Sequence, residues 1–203
     1  LPFDSEGMKE RYPGVFFSQF TGAELVADKW NLSREDLDKF ALESHEKAAH
    51  ATESKYFDRE ILPVEGRNAE GINDMVTADE GIRFDASLDK LAGLNPVTEG
   101  GVITAGNASQ ITDGAAAVMV CNDAGLKKIQ ANPRAEIVSI SVVGDDPVFM
   151  LTGPIPASIK ALEIANLSID DIDLYEVNEA FAPVPLAWAE HLKADRSKLN
   201  VNG

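Results

Sequence analysis

The stretch Gly101-Val102-Ile103-Thr104-Ala105-Gly106-Asn107-Ala108-Ser109, continuing through Thr112-Asp113-Gly114 into Ala115-Ala116-Ala117-Val118-Met119-Val120-Cys121, decides how this chain is read. It joins a turn of small residues to a continuous apolar run of the kind expected for a strand covered on both faces. The texture changes here. Upstream, charged helical segments alternate with loops; downstream, strand and helix patterns succeed each other, which implies a layered α/β fold.

Upstream, Thr21-Gly22-Ala23-Glu24 reads as a capping box opening a helix that carries Leu25, Val26 and Trp30. Ser33-Arg34-Glu35-Asp36 is a second start signal. Apolar and small residues then recur at Leu37, Phe40, Ala41, Ser44, Ala48 and Ala51 with helical spacing. Glu60 to Val64 suits a short strand, and residues 66–81 read as a polar surface excursion. Downstream, the pattern predicts a helix over 124–132, a strand over 135–143, a proline-initiated helix over 154–166, a short buried strand over 174–177 and a helix over 179–192.

The 203 residues carry 18 basic and 34 acidic side chains, a formal charge of −16. That balance argues against nucleic acid, whose phosphates need a basic face. It leaves room for a single nucleotide-bearing ligand, held by a few cations or backbone amides. One cysteine, Cys121, excludes an internal disulfide framework and points to a reducing compartment, the cytoplasm by default. No run approaches the roughly 18 apolar residues of a membrane span. Leu1-Pro2-Phe3 at one end and Asn200-Val201-Asn202-Gly203 at the other read as cut ends, so a segment of a longer polypeptide is expected.

Two motifs in series carry a family resemblance. Thr104-Ala105-Gly106-Asn107-Ala108-Ser109 with Asp113-Gly114-Ala115-Ala116-Ala117 is the first. Val177-Asn178-Glu179-Ala180-Phe181-Ala182, followed by Asn200-Val201-Asn202-Gly203, is the second. With Asp146-Pro147, Met150 and Gly153-Pro154 between them, the chain resembles the thiolase (acetyl-CoA acetyltransferase) family over nearly its whole length. The resemblance implies an incomplete thiolase-like layered α/β fold with a helical loop domain. Residues 1–110 would form that cap or CoA-binding domain, and 111–203 the first part of the C-terminal half. It implies an acyltransferase that forms or cleaves 3-oxoacyl-CoA through a cysteine acyl-enzyme, as a homodimer or homotetramer. Coenzyme A thioesters would be its substrates, with no metal and no dissociable cofactor.

The residue chemistry agrees with those roles. Small side chains at Ala105, Gly106, Ala108 and Ser109 let the backbone approach a narrow pantetheine arm, and the resemblance makes Ser109 a CoA contact; turning the chain into the next strand is the plainer alternative. Asn178 follows an apolar strand, where α/β sheets place ligands. By resemblance its amide orients a water that donates to a developing oxyanion; an ordinary helix N-cap is compatible with this. Ala180 and Phe181 would line the acyl and pantetheine channel, with a core aromatic as the alternative for Phe181. Met150 would line it too, or simply fill a gap. Arg83 resembles a basic position near the nucleotide end of CoA, and is otherwise a solvated surface cation.

The family needs a nucleophilic cysteine, a second cysteine as acid/base and an activating histidine in a Gly-His-Pro element. Cys121 matches neither cysteine and reads as a small buried hydrophobe; His45, His50 and His191 read as exposed. The chain alone is therefore expected to be inactive. Departures from the family pattern are Gln19-Phe20 at the Met-Gly-x-Thr-Ala-Glu element, Asn95, Leu151 and Pro185. Two alternatives are a thiolase-like acyl-CoA or lipid carrier without catalysis and a ketosynthase, although ketosynthases usually place histidines where Asn178 stands.

Overall fold

A computed structural model describes residues 5–67 and 71–203; Leu1-Pro2-Phe3 and residues 68–70 of the surface excursion lie outside it. The elements run α1 (Glu6–Arg11), α2 (Gln19–Lys29), α3 (Arg34–Glu53), β1 (Val64–Arg67), β2 (Asn73–Val76), α4 (Leu88–Ala92), α5 (Asp123–Ile129), α6 (Pro154–Ala165) and α7 (Pro183–Leu192). Short 3-10 turns at Ile169–Asp171 and Arg196–Lys198 flank α7 on the sequence. Together they make a partial α/β fold.

The second start signal works as read. Ser33 Oγ accepts from the Asp36 amide at 3.2 Å, and the Asp36 carboxylate accepts from the Ser33 amide at 2.9 Å. This pair satisfies two of the free donors at the start of α3. The helix buries Leu37, Phe40, Ala41 and Ala51. The first signal is corrected: α2 begins at Gln19 with Ser18 as N-cap, and Thr21 lies inside its first turn. Glu24 does not reach back to the helix start, because two loop amides compete for it. Its carboxylate accepts from Val102 N at 3.0 Å and from Ile103 N at 3.0 Å.

The core gathers α2, α3 and α7 around the segments 102–108 and 175–182. Ala23, Val26, Leu37, Ile103 and Leu199 are almost wholly enclosed. Tyr175 and Trp188 meet edge to face at 5.3 Å, and Trp188 Nε1 donates to Ser158 Oγ at 2.9 Å, tying α7 to α6. Tyr175 pairs in parallel with Leu199. α7 starts at Pro183, later than the expected residue 179. Proline at the first helical position is favourable, and the residue before it, Ala182, stays in right-handed helical backbone, φ −51° and ψ −35°. Residues 178–181 precede the helix and pair elsewhere, and the N-cap is Ala182 rather than Asn178.

The predicted strands 115–121 and 135–143 form no regular pairing among the described residues. Val118, Met119 and Val120 are 88%, 76% and 70% exposed, and Cys121 is exposed rather than buried. An apolar run becomes a covered strand only when neighbouring strands and helices supply partners, and no described residue of this chain does so. The excursion at 66–81 carries the hairpin β1–β2, paired antiparallel from Val64↔Val76 to Arg67↔Asn73.

Candidate functional site

The two motifs meet. Ser109 N–H donates to the Ala180 carbonyl at 2.9 Å, and Ala182 N–H donates to the Asn107 carbonyl at 2.9 Å, so Ala108 and Phe181 face each other as an antiparallel bridge. This short ladder places the small-residue turn beside the segment that carries Asn178.

The turn is held from beneath by a buried polar network. Asn107 Oδ1 accepts from Thr104 N at 2.9 Å, while its Nδ2 donates to the Val102 carbonyl at 3.1 Å and to Asp38 Oδ1 at 3.1 Å. Asp38 in turn pairs with Arg34 Nε at 2.7 Å. Arg34 also donates to the Leu91 and Leu94 carbonyls, which ties α3 to the end of α4. Asp38 and Asn107 are each 3% exposed; groups this buried persist because every one of these bonds is made.

A cleft of about 160 Å3 opens beside the ladder, lined by Ser44, His45, Asn107, Ala108, Ser109, Gln110, Glu179 and Ala182 among others. A second cleft, about 260 Å3, shares His45, Gly106, Ala108 and Gln110 with the first and extends to Arg83, Ser87, Lys90, Leu94 and Ala105. The shared residues make the two adjoining compartments of one groove. Its walls are apolar and small on one side; at the far end Arg83, which also donates to Gln110 Oε1 at 3.1 Å, supplies positive charge, while Lys90 is ion-paired with Asp85 in the same lining.

Of the residues singled out from sequence, Ala105, Ala108, Ser109 and Arg83 therefore line the groove. Ala180 lines neither cleft; its carbonyl is taken by the Ser109 N–H. Phe181 is 4% exposed and packs edge to face against Phe20 at 5.3 Å, so it is a core aromatic. Met150 sits on a separate loop in left-handed backbone, φ 54°, and lines neither cleft. Asn178 is exposed, and its side chain makes no hydrogen bond among the described residues; its neighbour Glu179 is the residue that lines the cleft.

Sequence reasoning missed His45, Glu179 and Asn200. His45, expected to be exposed, is half-buried. Its Nδ1 accepts from Arg83 N at 3.2 Å, and burial, aided by the Arg83 charge, lowers its pKa from the usual imidazole value. The neutral ring then carries its proton on Nε2. His45 lies four residues after the buried Ala41, on the same side of α3. Glu179 accepts from Ser44 Oγ at 2.7 Å and from Asn200 Nδ2 at 2.7 Å. Beside it, Glu176 is pushed upward in pKa by burial and then by the Glu179 charge. Among the described residues, no group of three or more His, Cys, Asp or Glu side chains is placed to hold a metal. Among the described residues, no helix is long and apolar enough to cross a membrane.

Comparison with known proteins places this geometry. The family model "Thiolase, N-terminal domain" matches residues 6–124, and "Thiolase, C-terminal domain" matches 131–203. The steroid 3-ketoacyl-CoA thiolase FadA6 of Mycobacterium tuberculosis is 48% identical over 98% of this chain and 48% of its own length. The mitochondrial 3-ketoacyl-CoA thiolase of Rattus norvegicus is 43% identical over 89% of the chain and 46% of its own. The crystal structure of the Bacillus anthracis acetyl-CoA acetyltransferase superposes with a TM-score of 0.88 at 40% identity, covering 94% of this chain and 48% of that one. The human mitochondrial 3-ketoacyl-CoA thiolase in complex with CoA superposes at 0.84 with 43% identity, covering 90% and 45%. The chain thus spans about half the length of the relatives it matches. The partial α/β fold is a thiolase-like fold, and the chain belongs to the thiolase family.

Proposed function

We propose that this chain supplies the CoA groove and the oxyanion-side asparagine of an acyl-CoA C-acyltransferase that cleaves or forms 3-oxoacyl-CoA. The observation that carries this reading is the Ser109 N–H to Ala180 carbonyl bond, which sets the small-residue turn beside the Asn178 segment. A pantetheine arm is slender and amide-bearing, and it suits a groove walled by alanine, glycine and serine with backbone groups close by. Arg83 at the far end suits the phosphates of the nucleotide. Ala180, Phe181 and Met150 line neither compartment described above, so the part proposed for them is to support the acyl side from behind its wall.

In the proposed reaction a cysteine takes the acyl group from one CoA ester, and CoA or the enolate of acetyl-CoA then accepts it. Asn178 donates to a water that in turn donates to the thioester oxygen as enolate charge develops. Its exposed amide, uncommitted within the described residues, is available for this. Residues 1–110 act as the loop domain and 111–203 as the start of the C-terminal half of a homo-oligomeric enzyme of the cytoplasm. The chemistry needs no metal and no dissociable cofactor. The 48% identity to a steroid 3-ketoacyl-CoA thiolase makes ring-bearing acyl chains the first substrates to compare with linear ones.

Because its single cysteine is not one of the two the reaction uses, the 203-residue chain by itself is inactive in this reading. Titration calorimetry with CoA and an acetoacetyl-CoA thiolysis assay test it together. Heat of CoA binding without turnover is expected; clear turnover by the isolated chain would refute the assignment of the missing cysteines.

A further inference from the structure

Among the described residues the Asn178 side chain has no hydrogen-bond partner, but its backbone is firmly held, and one buried residue does the holding. Asn200 is 1% exposed. Its Oδ1 accepts from Val177 N at 2.9 Å, and its Nδ2 donates to the Val177 carbonyl at 2.8 Å. The same Nδ2 donates to Glu179 Oε1 at 2.7 Å. Both neighbours of Asn178 are therefore tied to one side-chain amide. From the other side, Ser44 Oγ on α3 donates to Glu179 Oε2 at 2.7 Å.

Only an asparagine-sized amide meets this pattern. It offers one acceptor to an N–H and two donors to a carbonyl and a carboxylate; aspartate has no donor when ionised, and an apolar residue has neither. Asn200 is itself held in left-handed backbone, φ 44°, a region asparagine visits more readily than most residues. Its own N–H donates to the Tyr175 carbonyl at 2.9 Å, and its carbonyl accepts from Gly203 N at 3.1 Å. Gly203, at φ 85°, lies so close to α3 that a Cβ there would come within 2.6 Å of Ala48 N. The clamp is thus braced against α3, the helix that also carries Ser44, His45 and Asp38.

We infer that Asn200, together with Glu179, is a positioning residue that fixes the backbone on both sides of Asn178 and so aims the Asn178 amide. The inference rests on the oxyanion role proposed for Asn178. A side chain that must orient a water gains from a backbone that does not move, since misplacement by about 1 Å can cost about 100-fold in rate. Glu179 works here by its shape and acceptors, not by its charge. Glutamine in its place keeps an acceptor for Asn200 and turns its NH2 toward Ser44 Oγ, whose lone pairs accept.

Two measurements test this. In the 15N-labelled 203-residue chain, the Asn178 backbone amide has an order parameter near about 0.85, and in Asn200→Asp it falls below about 0.6. An unchanged value would overturn the clamp whatever the function. In the proposed acyltransferase, Asn200→Asp and Glu179→Ala lower kcat for acetoacetyl-CoA formation about 100-fold with KM changed less than about threefold. Glu179→Gln stays within about threefold of the parent. The decisive comparison is a double-mutant cycle: in an Asn178→Ala background, Asn200→Asp adds almost nothing. A full, multiplicative loss in that background would show that Asn200 acts on stability alone and overturn the positioning role. If Asn178→Ala itself leaves the rate unchanged, the oxyanion reading falls and takes the catalytic purpose of the clamp with it. Where Asn200→Asp fails to fold, Glu179→Ala takes its place in the cycle under the same criteria.

Discussion

Asp38 and Asn107 lie far apart on the chain yet share a hydrogen bond of 3.1 Å in a pocket that leaves each only 3% exposed. Through this contact α3 holds the small-residue turn from below. The ladder from that turn to Ala180 and Ala182 then carries the order across to the Asn178 segment.

Asp38→Ala removes the carboxylate that pairs with Arg34 Nε and leaves one Asn107 donor bond unmade in that pocket. Removing one partner of a buried, hydrogen-bonded pair costs about 3 kcal/mol. Urea unfolding of the variant is expected to show a lower midpoint with an unchanged slope. A loss below about 1 kcal/mol would mean that the network is solvated in solution.

Glu24 accepts from Val102 and Ile103 amides on the rim of the same turn. Glu24→Ala leaves both unpaired, at about 1–3 kcal/mol for each buried donor. Glu24→Gln keeps an acceptor and recovers much of the loss. Thermal melts of the two variants check this, at about 2–4 °C per kcal/mol for a chain of this size. Equal melting of both would exclude the amide contacts as the cause.

Gly22 is the point where α2 touches the loop that carries Met150. A Cβ there would lie 2.6 Å from the Phe149 carbonyl oxygen. Gly22→Ala is therefore expected to destabilise by about 1–3 kcal/mol through overpacking, despite the better helix propensity of alanine. A neutral or stabilised melt would show that the loop gives way freely.

Much of the fold was legible in the sequence, for reasons that depend on locality. The Ser33–Asp36 capping box and the proline opening α6 are short-range signals, and both act where they were read. Thr21–Glu24 has the same spelling and fails, because Glu24 finds better donors in Val102 and Ile103, residues that only the tertiary fold brings near. The apolar run 115–121 reads as a covered strand and the β-branched run 135–143 as a strand, but pairing and coverage belong to partners that the runs themselves do not encode. In the site, the motif residues Ala105, Ala108 and Ser109 were found because their small size is the signal. His45 and Asn200 were not, because a helix-face histidine and an asparagine near a turn look the same whether they serve a site or not.

His45 makes stability pH-dependent in a set direction. Its folded pKa lies below the ordinary 6.5, chiefly from burial and then from Arg83, so in that window the unfolded chain binds a proton that the folded chain does not. Stability therefore rises with pH through the window and is lost as pH falls below 6.5. Glu176, raised in pKa, acts oppositely near the carboxylate range: its contribution is present at low pH and lost as pH rises through its folded pKa. Unfolding free energies measured across pH for the wild type and His45→Gln should diverge below 6.5, with the flatter profile in the variant. Superimposable slopes would remove His45 as the cause.

The most direct test of the account is to time the separate steps in the proposed acyltransferase, with and without Asn178→Ala. Rapid-quench measurement of cysteine acylation by acetyl-CoA, set beside the rate of acetoacetyl-CoA formation, resolves them. The account predicts acylation within about threefold of the parent and carbon–carbon bond formation slowed by about 100-fold or more, as for loss of an oxyanion donor. Equal slowing of both steps would contradict it and leave Asn178 as part of the scaffold.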